Sequence, residues 1–183
     1  MALSATIYKA ELDISDMDRH YYANHVLTLA MHPSENETRL MLRLLAFALH
    51  ADEALSFTRG LSAEDEPDLW KKDLTGEIEL WIEVGQPDER RLRKACGRAR
   101  QVIVYNYAER AAAIWWDKSA KDFAKLDNLS VFVVEDASVA ALEALVARTM
   151  RLSFTIQDGE VWLSDGEVNV PILYQRLQAA TRV

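Results

Sequence analysis

Cysteine is nearly absent from this chain: Cys96 is the only one in 183 residues. No internal disulfide can brace the fold, and a lone thiol suits a reducing cytoplasm. Glycine numbers six and proline four, with no cluster of glycines. That excludes a glycine-rich loop cradling phosphate, and no low-complexity linker stands out. Long apolar runs are missing too. No stretch has the length of a membrane-spanning helix, and the start MALSATIYKAELD meets charge too early for a secretory leader. No Gly-x-Ser-x-Gly elbow or Cys-His pair points to acyl transfer. His20, His25, His32 and His50 are scattered, without the spacing of a zinc site. Positive charge is in deficit as well. At a formal net charge of −8 the chain repels nucleic acid at long range, so such a partner needs a local basic face.

What is present suits a globular protein. Half the residues are hydrophobic (50%), enough over this length for one domain with a sizeable core, and a single α/β domain over 1–183 is the economical reading. Residues 3–13 alternate and predict a strand. YYANHVLTLAM, 21–31, predicts a second, antiparallel to the first. Ser34 and Glu37 form a capping box, and Leu40, Met41, Leu44, Leu45, Phe47 and Ala48 follow at helical spacing, so a helix is expected over 34–50. LSFTRG, PDLWKKDL and EIELWIEVG predict three strands, the last two antiparallel across Thr75-Gly76. Asp88 caps a basic helix over 88–100. QVIVYNY then returns as a strand parallel to the Glu83 strand. AAAIWW is read as strand, DKSAKDFAKL as a short helix, LSVFVV as strand and DASVAALEALVART as helix. RLSFTIQ and EVWLSD make a hairpin across Asp158-Gly159. VNVPILYQRL is an edge strand, because Pro171 has no amide hydrogen to donate.

The chemistry concentrates in EPDLWKKDLTGEIELWIEVGQ, residues 66–86. Glu83 lies in the apolar run LWIEV, so it must be paired, bind a metal, or sit at an exposed tip. Pro67-Asp68 opens one strand and Glu83 nearly ends the next. Two carboxylates on adjacent strand ends can converge on a divalent cation. Mg²⁺ takes such oxygen ligands together with water and a phosphate oxygen, polarises the phosphoryl group and generates hydroxide. A cationic side chain nearby would stabilise the developing charge.

Over 34–107 the predicted order is helix, three strands, helix, strand. With Pro-Asp, a spacer and an acid, it resembles the restriction-endonuclease-like core, whose signature is Pro-Asp followed by Asp/Glu-x-Lys. The lysine is where this chain departs: Gly85 holds its place. Gln86 stands one position later, and Lys94, with Arg90 or Arg91 behind it, lies in the next helix. More widely, TIYKAELDISDMDR, HPSENETRLMLRLLAFAL, EPDLWKKDLTGEIELWIEVGQPDERRLRKACGRA and LDNLSV together resemble the bacterial YaeQ family. The resemblance implies a variant of the nuclease core, α/β with a mixed sheet and extra N- and C-terminal strands. It leaves the activity open. Carried onto this sequence, it implies a pocket with Glu35 or Glu37, Asp68 and Glu83. There Glu37, Asp68 and Glu83 would hold Mg²⁺, and Asp68, Glu83, Gln86 and Lys94 would form the catalytic set.

Each of these residues has a plainer role available. Glu37 can be a helix cap, Asp68 can close a turn, and a salt bridge to Arg91 or Lys94 would satisfy Glu83. The basic helix 88–100 is either a solvated face or a phosphate-binding wall for nucleic acid. Cys96 reads as packing, and Trp115-Trp116 as core. Two functions follow: a cytoplasmic Mg²⁺-dependent nuclease or nucleic-acid binder at Asp68 and Glu83, or a catalytically inactive interaction module on the same fold. Neither involves a membrane.

Overall fold

The structure, a computed structural model, describes residues 4–182. Leu3, the first residue of the expected first strand, lies outside them. In chain order the elements are β1 Thr6–Asp16, β2 Tyr21–Met31, α1 Glu37–Leu49, β3 Leu55–Phe57, β4 Leu69–Lys72, β5 Ile78–Val84, α2 Glu89–Cys96, β6 Ala99–Asn106, α3 Glu109–Phe123, β7 Leu129–Val134, α4 Asp136–Ala144, β8 Thr149–Gln157, β9 Glu160–Ser164, β10 Asn169–Ile172 and β11 Tyr174–Gln178. They form two compact units, each built from separated stretches of chain. The first takes residues up to Ala51 together with Ala137–Leu173. The second takes Asp52–Asp136 and the segment from Tyr174 onward. Where one mixed sheet is expected from the sequence, there are two.

The first unit carries a sheet in the order β10-β9-β8-β1-β2. β1 and β2 pair antiparallel along their whole length, from Thr6 opposite Met31 to Asp16 opposite Tyr21. β8 joins β1 in parallel, with Leu12 beside Leu152. Tyr8, Ala10, Leu12 and Ile14 are buried and Lys9 and Asp13 exposed, the alternation of a sheet with one covered face. The hairpin between β8 and β9 turns on Asp158 and Gly159, at φ 53° and 77°, as a two-residue loop of this hand requires. Helix α1 is buried from Leu40 to Leu49, which explains its apolar residues on every side. Its start differs from the expected capping box. Asn36, not Ser34, is the N-cap, accepting from the Arg39 amide at 3.0 Å. Ser34 instead bonds the His32 ring at 2.6 Å. The intervening Glu35 is drawn inward to Arg43 (2.8 Å) and Arg39 (3.1 Å), so the helix begins only at Glu37.

The second unit carries a sheet in the order β11-β7-β6-β5-β4-β3. β5, β6 and β7 run parallel and the remaining neighbours antiparallel. Val102 to Asn106 of β6 are buried without a break, the pattern of a parallel strand covered on both faces. Helices α2 and α3 supply Leu92, Ala95 and Phe123 to a core shared with Trp81, Val102 and Leu129. AAAIWW, read as strand, is part of α3. The buried and half-buried positions Ala112, Trp115, Trp116, Ser119, Ala120 and Phe123 recur every three or four residues, which only a helix can put on one face. VNVPILYQRL, read as one edge strand, is two. β10 lies at the edge of the first sheet with Pro171 opposite Trp162, and β11 lies at the edge of the second against β7.

Candidate functional site: an acidic pair clamped by arginine

Asp68 precedes β4, and Glu83 is the penultimate residue of β5. The antiparallel register sets Leu69 opposite Ile82. One step further puts Asp68 opposite Glu83, with both side chains on one face. Asp68 is held from three directions. Its amide donates to the Ile82 carbonyl at 3.0 Å, its carbonyl accepts from the Thr58 amide at 3.1 Å, and its Oδ2 accepts from the Val84 amide at 2.8 Å. The Thr58 hydroxyl donates to the Pro67 carbonyl and accepts from the Gly60 amide, tying the loop before β4 to the same place.

Glu83 answers the question of its apolar strand by pairing. Its Oε1 accepts from Arg91 Nε at 2.7 Å and from Trp81 Nε1 at 2.8 Å. Trp81 lies two residues back on the same strand face, so alternation alone places it there. Arg91 does more than neutralise. Nη1 donates to the Glu64 carbonyl and Nη2 to the Glu66 carbonyl, at 2.8 and 2.7 Å, binding the 64–66 loop to α2. Asp68 and Glu83 are 1% and 4% exposed, so solvent does little to screen them from each other. Burial pushes the Glu83 carboxyl above its ordinary value, the Asp68 charge adds to the rise, and Arg91 opposes it.

The other expected site residues have partners of their own. Gln86 is exposed and its amide reaches the Tyr107 carbonyl at 3.3 Å. Lys94 forms an exposed ion pair with Asp65. Glu37 belongs to the first unit, where Tyr8 donates its hydroxyl to Glu37 Oε1 at 2.8 Å. Among the described residues no group of three or more His, Cys, Asp or Glu side chains could hold a metal ion. Gly85, in the lysine position, has φ +106°, a conformation that L side chains rarely adopt. That conformation favours glycine over lysine at this position. The basic helix is largely balanced by acids. Arg93 pairs with Glu89 and Lys94 with Asp65, and just beyond α2 Arg100 pairs with Glu77 (2.9 Å) and Asp73 (3.2 Å). Thr58, Trp81 and the Glu64 and Glu66 carbonyls are the participants that reading the sequence missed.

Fold and site together define a mixed α/β protein of two sheets and four described α-helices, with a buried acidic pair between two adjacent strands. The chain belongs to the YaeQ protein family, which it matches over residues 1–173. It is 52% identical over 172 residues to a Salmonella typhi protein carrying the name "Uncharacterized protein YaeQ", covering 94% of this chain and 95% of that one. The protein of the same name in Escherichia coli K12 is 49% identical with the same coverage. Among solved structures, the YaeQ protein of Xanthomonas axonopodis pv. citri superposes with a TM-score of 0.91 at 52% identity, covering 96% of this chain and 99% of that one. The Pseudomonas syringae YaeQ structure gives 0.91 at 35% identity, with coverage of 96% and 97%. No described helix is long and apolar enough to cross a membrane.

Proposed function

We propose that this chain is a catalytically inactive, nuclease-like interaction module in which Asp68 and Glu83 hold structure rather than a metal. The order α1-β3-β4-β5-α2-β6 supports the restriction-endonuclease-like reading of residues 34–107. The single observation that carries the inactive reading is the Arg91 guanidinium on Glu83 Oε1, anchored in turn by the Glu64 and Glu66 carbonyls. A Mg²⁺ ion would have to displace that guanidinium, release two carbonyls and take ligands from a pair that lacks a third acid. The residues as arranged do not fit the ion. The ion pairs of helix 88–100 support the same reading, because phosphate binding at Arg93 and Lys94 would have to compete with Glu89 and Asp65.

Titration calorimetry with Mg²⁺ and Mn²⁺, run beside nuclease assays on single- and double-stranded DNA and RNA, tests this. The expected outcome is no saturable binding at millimolar metal and no cleavage. Metal binding abolished by Asp68→Ala, together with cleavage of any substrate, would sink it. One observation favours the alternative, a Mg²⁺-dependent nuclease: the Asp68 charge bears directly on Glu83, and a cation shared between them would relieve that repulsion. Under that alternative Arg91→Ala should strengthen metal binding, whereas an inactive module should bind no metal in either form.

A further inference from the structure

Among the described residues each sheet has two edge strands, and an edge presents backbone amides and carbonyls to any chain that can match them. Three of the four edges are blunted. β3 has three residues. β10 has four and carries Pro171, which has no amide hydrogen to donate. β11 carries Arg176 and shifts register after it. β2 has none of these devices. It runs for 11 residues, pairs with β1 without a shift, and holds no Asp, Glu, Lys, Arg or Pro. Among the described residues no strand lies on its side away from β1. Near one end the Ala30 carbonyl accepts from Arg43 Nη2 at 3.0 Å, which leaves that oxygen a second lone pair.

The outer face of this edge is apolar where it is most open. Val26 is 81% exposed, Tyr22 62% and Ile7, on the adjoining β1, 50%. Val26 is the middle residue of β2. An antiparallel copy of the strand, laid against it with Val26 on a two-fold axis, sets Val26 opposite itself, Tyr22 opposite Ala30 and Asn24 opposite Thr28. Ile7 stands beside Ala30 on β1. Ala30 is small, so the Tyr22 ring of each copy can cross it to the Ile7 of the other. All three exposed apolar side chains then gain apolar partners, and the Asn24 amide meets a hydroxyl. On the inner face Leu27 falls opposite His25, Leu29 opposite Ala23 and Met31 opposite Tyr21, which adds no charged side chain. Charge agrees one strand further out. Lys9 lies in the row of Thr28 and Asp13 in the row of Asn24, so each lysine shares a row with the aspartate of the other copy. The opposing feature is Glu11, present twice in the central row beside Val26, and Arg151 pairs with it at 3.4 Å. With all 11 residues of β2 in register, the two strands exchange about ten main-chain hydrogen bonds, the number found across a standard protein interface.

We infer that the protein is a homodimer through β2, its two five-stranded sheets joined edge to edge about a two-fold axis at Val26. The occupant is a second copy rather than a foreign strand, because the register that matches the apolar, amide and charged rows is the symmetric one. The inference goes beyond the reading of Asp68 and Glu83 and does not depend on it, since β2 belongs to the first unit and that pair to the second.

Sedimentation equilibrium of the full chain at micromolar concentrations should give twice the mass of one chain. Val26→Lys sets two ammonium groups opposite each other and should raise the dissociation constant by about tenfold or more. Ile114→Lys, the same change at an exposed position of α3, should leave it unaltered. Val26→Cys in a Cys96→Ala background reads the register. Opposing Cα atoms of paired strands lie about 4.5–5.5 Å apart, within disulfide reach, so mild oxidation should link the two copies. Tyr22→Cys in the same background should stay unlinked, because the two copies of that position lie eight residues, about 27 Å, apart along the paired strands. A single-chain mass at every concentration, a dimer insensitive to Val26→Lys, or linking by Tyr22→Cys as readily as by Val26→Cys would each overturn the assignment. Circular dichroism checks the fold of each variant. Should Val26→Lys lose the fold, the two cysteine variants decide alone.

Discussion

Burial and the Asp68 charge both oppose ionisation of Glu83, while Arg91 and Trp81 favour it. Removing Arg91 would leave a buried carboxylate facing a second one. Arg91→Ala is therefore expected to cost about 3 kcal/mol of stability in urea denaturation, at the low end for broken buried pairs because Arg91 keeps some contact with solvent. Glu83→Gln should cost less, since its amide is neutral and its oxygen still accepts from Trp81. The two forms also differ in pH dependence. The folded chain holds the Glu83 proton more tightly than the unfolded one, so the stability linked to that proton is lost as pH rises from below 4.5 through the raised folded value. Glu83→Gln lacks this loss and should gain on the unmodified protein as pH rises above 4.5. A constant gap would contradict the coupling. His50 works in the opposite direction. Burial and then the Arg19 charge push its imidazole down to about 4 from 6.5. The unfolded chain binds that proton more readily, so stability is fully present above 6.5 and is lost as pH falls toward 4. About 2 kcal/mol is at stake for this partly buried ring, and His50→Gln should flatten the stability profile across that window.

At the element scale, the first turn of α1 offers a sharp comparison. Asn36→Ala removes the side chain that caps the Arg39 amide and should cost about 1 kcal/mol, whereas Ser34→Ala, two residues outside the helix, should cost almost nothing. Equal losses in thermal melts would restore the capping box at Ser34. Its motif was legible in the sequence, but a buried Glu35–Arg43 pair, formed only by folding, overrode it. β2 was legible to the residue because its alternation and length agree. AAAIWW was not, since its isoleucine and two tryptophans carry strand propensity and six residues are too few to reveal the period. Extending the window to Phe123 exposes the helical stripe. In the candidate site, strand order was enough to bring Asp68 and Glu83 together, and Arg91 was already one of two named partners for Glu83. That Lys94 would choose Asp65, 29 residues away in sequence, was not legible, because loop positions carry no periodic signal.

At the scale of the whole molecule, the chain leaves the first unit after Ala51, returns at Ala137 and leaves again after Leu173, with no shift in composition at any of these points. That is why one domain is the economical reading of the sequence. The last crossing has a measurable consequence. β11 follows Leu173 directly and covers β7, with Tyr174 opposite Val134 and Arg176 opposite Phe132. Tyr174 packs edge-on against Phe132 and Tyr105, with ring centroids 5.7 and 6.3 Å away. Gln178 donates to the Phe123 carbonyl at 2.9 Å and to the Leu129 carbonyl at 3.3 Å, joining the end of α3 to the start of β7. Ending the chain at Leu173 would make β7 an edge strand. LSVFVV carries no charge and no proline, and an edge of that kind pairs with other chains. The shortened protein is therefore expected to melt several degrees lower and to form larger species in light scattering at concentrations where the full chain does not. Unchanged mass and melting temperature would mean that β7 is protected without β11. Tyr174→Ala in the full chain separates the two contributions: it should lower the melting temperature through the lost aromatic contacts and leave the mass unchanged, because the backbone of β11 still covers the edge.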